Sequence, residues 1–305
     1  VIIGAGAADD ETTLRRAVII GYNALSNTTV QNNGDNVLIG HAVGSGEWQT
    51  ATSDGNVGIG SGVMTGNMNN ADYNVAIGYK AGRVITTGDY NVAVGQNSLY
   101  SNTTGGNNVA LGRDALYYNT TASNSIGIGS FALASIGGGS QNVAIGLSAM
   151  ASTGTAADND ASNNVAVGYN ALYTITDGDY NTAIGYQTGD ALTTGAGNIF
   201  IGQSAGTATT DVDKAIIIGR DAGAANMTSD ADGTIGIGYQ AAKSITSGQG
   251  NVAIGYNALE LEDTGDFNVA IGRYALNAQN VDGTVGNIAV GYYAGAAITS
   301  GAGNT

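Results

Sequence analysis

Residues 91–112 decide the fold of this chain, because they hold two copies of one short motif separated by a turn. Residues 91–95 read Asn-Val-Ala-Val-Gly, and residues 108–112, which lie 17 positions later, read Asn-Val-Ala-Leu-Gly. The segment between them, Gln-Asn-Ser-Leu-Tyr-Ser-Asn-Thr-Thr-Gly-Gly-Asn, is rich in turn-forming residues. A repeat of this length is typical of solenoids, in which each copy forms one coil.

The motif continues through the whole chain. Ten of the 16 intervals between successive copies are 17 residues long, and the others are 18 to 22 residues long. We therefore predict one tandem-repeat domain over residues 1–305 with 17 motif copies. Both ends lie inside a repeat, so we expect a segment of a longer array, or subunits stacked end to end into a filament. The closing glycines are Gly4, Gly21, Gly40, Gly60, Gly78, Gly95, Gly112, Gly129, Gly146, Gly168, Gly185, Gly202, Gly219, Gly238, Gly255, Gly272 and Gly291.

Branched aliphatic residues alternate within the motif. The residue before each closing glycine is Ile, Val or Leu, and the residue two places earlier is Val or Ile in every copy except Thr182. This period of two predicts a short strand with one buried face. Proline is absent, so every strand can hydrogen-bond to the coils on both sides. We predict an all-β parallel β-solenoid with one coil per repeat, whose core side chains include Val75, Ile77, Val92, Val143, Ile145, Val252 and Ile254.

The middle position of the motif is usually Ala or Gly and is never charged. Since a solvated face would carry polar side chains, we predict that this face packs against another chain. The predicted inter-chain residues are Ala76, Ala93, Ala110, Ala144, Ala253 and Phe200.

The first position of the motif is Asn in most copies. Stacked Asn side chains can hydrogen-bond to one another along a solenoid and to the backbone of the turns. We therefore predict an asparagine ladder that includes Asn74, Asn91, Asn108, Asn142, Asn251 and Asn268.

Composition excludes several classes of function. The 305 residues contain 9 Lys and Arg against 24 Asp and Glu, for a formal net charge of −15, which disfavours a nucleic-acid partner. The chain has no Cys and one His, His41, so thiol chemistry and a multi-histidine metal site are excluded. No apolar run approaches the about 20 residues of a membrane span. We predict a protein that is not an enzyme, needs no cofactor and does not insert into a membrane.

The motif and its turn, as in residues 91–105, resemble the head repeats of trimeric autotransporter adhesins and the repeat shafts of phage tail fibres. The resemblance covers the entire chain. It implies a left-handed parallel β-roll, three chains around one axis, and a role in reach and attachment. Adhesin-head repeats are usually nearer 14 residues, so the 17-residue period here favours the fibre-shaft relatives.

Three features predict contacts with other molecules. Insertions in solenoids often map to a binding face, so the irregular repeats nominate Trp48, Glu47, Asp158 and Asp160 as partner-binding residues. Tyr follows the closing glycine in 7 of 17 copies and suits either stacking along the solenoid or sugar binding. Asp before an aromatic residue and the motif Asn favours a turn, with Ca²⁺ binding as the alternative. This pattern occurs at Asp72, Asp89, Asp179 and Asp266.

These patterns together predict a structural protein. We expect an extracellular fibre or filament shaft, in a cell-surface appendage or a virion fibre, that associates with itself as a homotrimer. The alternative is an adhesin head that binds glycans or host surface proteins through its loops and its Tyr residues.

Overall fold

The computed structural model describes residues 1–9, 15–27, 34–48, 52–152 and 159–305, and these form an all-β parallel β-solenoid. The chain divides into two compact units. Unit 1 comprises Val1–Ser148 with Gly154–Asp160, and unit 2 comprises Ala149–Thr153 with Ala161–Thr305.

The described residues of unit 1 contain nine strands, and each pairs in parallel with the next along the chain. The register places equivalent motif positions beside one another, so that Val75 pairs with Val92 and Ala76 with Ala93. The strands are β1 (Ile2–Ile3), β2 (Val18–Ile20), β3 (Val37–Ile39), β4 (Val57–Ile59), β5 (Val75–Ile77), β6 (Val92–Val94), β7 (Val109–Leu111), β8 (Ile126–Ile128) and β9 (Val143–Ile145).

Unit 2 repeats this arrangement, with a second small sheet formed by β16 and β18. Its strands are β10 (Val165–Val167), β11 (Thr182–Ile184), β12 (Ile199–Ile201), β13 (Ile216–Ile218), β14 (Ile235–Ile237), β15 (Val252–Ile254), β16 (Gly265–Asp266), β17 (Val269–Ile271), β18 (Gly283–Thr284) and β19 (Ile288–Val290). In the part of the chain that the structure describes, the only helix is one 3-10 turn, Ser229–Ala231.

The closing glycine ends each strand at a corner that no other residue could occupy without strain. Gly95 has a φ of +138°, and a Cβ there would lie 2.4 Å from the carbonyl oxygen of Gly112 in the next coil. The Gly95 N–H also donates to the Ile77 carbonyl at 2.9 Å. Glycine therefore keeps the coils close enough for the backbone ladder to continue through the corner.

The prediction of which strand face is buried was wrong. The middle side chains, expected to contact another chain, point into their own coil and are buried: Ala76, Ala93, Ala110, Ala144, Ala253 and Phe200. The flanking side chains, expected to form the core, lie half-buried or exposed on the outside: Val75, Ile77, Val92, Val143, Ile145, Val252 and Ile254. Ile145 is 39% exposed, whereas Ala144 beside it is fully buried.

The narrow interior of the coil explains this reversal. The fourth residue after each closing glycine shares the interior with the middle residue of the strand: Leu116 is buried, and a Cβ on Gly127 would lie 2.4 Å from its Cδ1. Two large side chains rarely fit there together. The small middle residues are therefore a consequence of tight packing inside one chain.

The asparagine ladder lies at the start of the strands, and the side chains of Asn74, Asn91, Asn108, Asn142, Asn251 and Asn268 are buried there. Asn91 Nδ2 donates to Asn74 Oδ1 at 3.0 Å and to the Gly105 carbonyl at 2.9 Å, while Asn91 Oδ1 accepts from the Asn108 N–H at 3.0 Å. Asn91 thus pairs polar groups of the preceding coil, the following coil and its own turn. Ser125 interrupts the ladder, where Ser125 Oγ accepts from the Asn142 N–H at 3.3 Å.

Candidate functional site: the outer strand face, the tyrosine rows and a cleft

The first and third residues of the strands form an apolar surface, which we call the outer strand face. In β2–β9 of unit 1 every one of these residues is Val, Ile or Leu, and in β10–β15, β17 and β19 of unit 2 the one exception is Thr182. Ile77 and Val94 are each 36% exposed, and Ile184 is 40% exposed. A sheet face open to water ordinarily carries polar side chains, so a continuous aliphatic face marks a surface for association.

Exposed tyrosines form a second kind of surface, which we call the tyrosine rows. Their rings stack between neighbouring coils, with centroids 5.3 Å apart for Tyr73 and Tyr90, 5.2 Å apart for Tyr169 and Tyr186, and 4.8 Å apart for Tyr239 and Tyr256. For the tyrosines that follow closing glycines, the sequence left open stacking along the solenoid or sugar binding. Tyr169 stacks on Tyr186 and Tyr239 on Tyr256, and sugar binding stays a prediction. Tyr22 stacks in the same way on the exposed His41, at 5.6 Å.

Arginines lie over several aromatic rings. The guanidinium of Arg220 is 4.6 Å from the ring centre of Tyr239, and that of Arg273 is about equally close to Tyr256 (5.1 Å) and Tyr274 (5.0 Å). Such cation–π contacts contribute about 0.5–1 kcal/mol at exposed sites. These contacts place arginine side chains against the exposed aromatic rings.

Of the partner-binding residues predicted in the irregular repeats, Trp48 is buried, and binding by the others stays a prediction. Trp48 is fully buried, and its ring lies close to where a Cβ on Gly44 would stand, so it is a core side chain. Glu47 is exposed, and its N–H donates to Asn67 Oδ1 at 3.0 Å. Asp160 is exposed, while Asp158 lies outside the described residues. The large apolar surface of Trp48 indicated burial as strongly as binding, and burial is what the fold uses.

The aspartates that precede aromatic residues stabilise turns. Asp72 Oδ1 accepts from the Asp54 N–H, and Asp89 Oδ1 from the Asp72 N–H, both at 2.8 Å. Asp179 and Asp266 accept from the Ser162 and Gln249 N–H groups at 2.7 and 2.9 Å. Within the described ranges no group of three or more His, Cys, Asp or Glu side chains could hold a metal ion. Calcium binding stays a prediction, and these carboxylates have a structural role.

A cleft of about 350 Å³ opens in unit 1 between three successive coils. It is lined by Asn97, Asp114, Tyr117, Tyr118, Phe131, Ala134 and Ser135. Tyr117 and Tyr118 meet edge to face at 4.6 Å, and Tyr100 stacks on Tyr117 at 4.9 Å.

The polar groups of the cleft are already oriented. Asn97 Nδ2 donates to Asp114 Oδ1 at 2.9 Å, and Arg113 Nε lies 3.5 Å from Asp114 Oδ2. Burial raises the pKa of Tyr117, and the neighbouring Tyr100, Tyr118 and Asp114 raise it further, so its hydroxyl stays protonated at neutral pH. The cleft therefore offers a fixed carboxylate, an amide and a phenol beside aromatic rings.

Sequence reasoning missed this cleft, although its cause is visible in the repeat. Tyr117 and Tyr118 occupy the fifth and sixth positions after their closing glycine, and the same positions of the next coil hold Ala134 and Ser135. The step from two large side chains to two small ones leaves the space. Comparison of adjacent repeats position by position would have found it.

No protein-family model and no curated protein matches this chain. Among the residues that the structure places, none belongs to a helix with the length and apolar character needed to traverse a bilayer.

Proposed function

We propose that this chain is a structural protein, a segment of an extracellular fibre shaft that associates with itself as a homotrimer. In this proposal the solenoid is left-handed and the outer strand faces of three copies meet around one axis. The fibre serves a cell-surface appendage or a virion and gives reach for attachment.

The outer strand face is the observation that carries the proposal. It is aliphatic at nearly every position, and exposed residues on it, such as Ile145 at 39%, lie beside fully buried ones, such as Ala144. Burial of one methylene group contributes about 0.8 kcal/mol, so burial of one further methylene on each of the 16 outward side chains of β2–β9 would contribute about 13 kcal/mol per copy. That gain is of the size needed to offset the about 4–15 kcal/mol cost of association.

The backbone supports a mechanical role. Each strand in a unit hydrogen-bonds to its neighbours in register, and the asparagine ladder continues this pairing through the turns. The resemblance of the motif to adhesin heads and tail-fibre shafts agrees with the same role.

Light scattering of the purified chain tests self-association. We expect a trimer mass for the wild type and a monomer mass for the double variant Ile77→Asp with Ile145→Asp, because four or more carboxylates would face one another across the interface. The matched control is Thr104→Asp, which places a charge on an exposed turn. A monomeric wild type at micromolar concentration would refute the homotrimer.

The alternative function is an adhesin head that binds glycans or host proteins through the tyrosine rows. It predicts the reverse pattern. Tyr186→Ala would abolish ligand capture on a glycan or cell surface, while Ile145→Asp would leave it intact.

A further inference from the structure

We propose that the cleft lined by Asp114, Tyr118 and Phe131 is a binding site for a neutral saccharide. The inference does not depend on the shaft function, because none of the residues that line the cleft belongs to the outer strand face. All of these lining residues lie in unit 1.

The shape and lining of the cleft fit one sugar ring together with the sugars that are bonded to it. Its volume of about 350 Å³ falls at the lower end of the 300–1,000 Å³ that is usual for small-molecule sites. Tyr118 is 49% exposed and supplies a wall that a ligand can reach. A pyranose has an apolar C–H face for such a ring and a rim of hydroxyls for polar groups.

The hydrogen-bonding groups match hydroxyls in particular. Asp114 keeps acceptor capacity beyond the hydrogen bond from Asn97, since an ionised carboxylate has about four lone-pair sites. Tyr117 and Ser135 have hydroxyls that can donate or accept. Vicinal hydroxyls of a sugar can therefore be held by the carboxylate and the neighbouring hydroxyl groups at once.

The charges decide between a neutral sugar and other ligands. An anionic ligand is disfavoured by Asp114 in the lining and by the net charge of −15. A quaternary ammonium would need a free carboxylate and free ring faces. Here Arg113 lies 3.5 Å from Asp114 and its guanidinium covers one face of Phe131 at 4.7 Å, so a cation already occupies that place.

Three variants test the site without disturbing the core. Tyr118→Ala removes the exposed wall. Asp114→Ala removes the acceptor at a left-handed position (φ 57°), and the fold already accepts alanine at the equivalent position Ala42 (φ 50°). Ser135→Tyr places a tyrosine where the preceding coil already holds one and fills the cleft. The control is Tyr79→Ala, whose ring is 50% exposed and lies outside the cleft.

The probe is a glycan array carrying neutral and sialylated glycans, followed by competition with methyl glycosides and with choline. We expect the full chain to retain neutral glycans and each cleft variant to lose affinity about tenfold or more, with melting temperatures unchanged. Tyr79→Ala should bind within about twofold of the wild type. Absence of glycan binding, preference for sialylated glycans or choline, or equal loss in Tyr79→Ala would overturn the proposal.

Discussion

The ring of Phe200 occupies the space that Gly206 leaves empty: a Cβ on Gly206 would lie 3.1 Å from Phe200 Cδ1. Gly189 in the preceding coil also leaves space for this ring, since a Cβ on Gly189 would lie 2.7 Å from Phe200 Cδ2. In other coils the middle residue is small and the fourth residue after the closing glycine is large, as with Ala110 and Leu116. In these coils the two motif positions share one interior space.

This sharing predicts a compensating pair of substitutions. Phe200→Ala should destabilise the protein by about 3–5 kcal/mol, because it leaves a cavity in a closed interior. Gly206→Leu in the same chain should recover part of that loss, since leucine already adopts the required left-handed backbone at Leu99 (φ 48°). Urea unfolding of the two single variants and the double variant gives the coupling energy. Additive effects would show that the two positions do not share one space.

The direction in which the strand side chains point predicts opposite effects of substitution at neighbouring residues. Ala144→Asp should unfold the coil around it, because a carboxylate would enter an apolar interior without a partner. Ile145→Asp should leave the chain folded, since its side chain points outward and is 39% exposed. Circular dichroism and thermal melting of dilute protein report the difference. A lower melting temperature for Ile145→Asp than for Ala144→Asp would restore the facing that the sequence predicted.

The repeat alone predicted the parallel coils, their register and the asparagine ladder, because each depends on residues that recur at a fixed spacing. The period of two could not predict which side chains of the strand point into the coil, since both strand faces are apolar. The relation between residue sizes could have predicted it. Where the middle residue is large, as at Leu38 or Ile217, the fourth residue after the closing glycine is glycine, Gly44 or Gly223, because both residues lie in the same interior. The cleft arises from a departure from the repeat pattern, so only a comparison of adjacent repeats position by position could have predicted it.

The asparagine ladder predicts a graded response at one position. Asn91→Ala removes the acceptor for the buried Asn108 N–H and one of the two donors to the Gly105 carbonyl, which also accepts from Asn102 Nδ2 at 2.9 Å. We expect a loss of about 1–3 kcal/mol, mainly from the unpaired Asn108 N–H. Asn91→Ser should cost less, because a serine hydroxyl accepts from the next coil as Ser125 does from Asn142. Equal unfolding free energies for the alanine and serine variants would contradict this role.

The partial burial of Asp190 predicts that the stability of the protein depends on pH. Burial raises the pKa of this carboxyl above its usual value of 3.8, and hydrogen bonds from Thr207 and from the N–H groups of Asp190 and Ala191 offset only part of the effect. The native state therefore holds the proton more tightly than the unfolded state does. Below pH 3.8 the carboxyl is protonated in both states, so it does not lower the free energy of unfolding. As the pH rises through the raised native pKa, the free energy of unfolding falls.

Removal of this charge should therefore stabilise the protein at neutral pH. Asp190→Asn keeps an oxygen that can accept from Thr207 Oγ1, which lies 2.8 Å from Asp190 Oδ1. Its melting temperature should exceed that of the wild type at pH 7, and the difference should vanish near pH 3. Asp177→Asn is the matched control, because it makes the same charge change at an exposed turn. A gain of equal size in both variants would assign the effect to the net charge of the chain and not to the burial of Asp190.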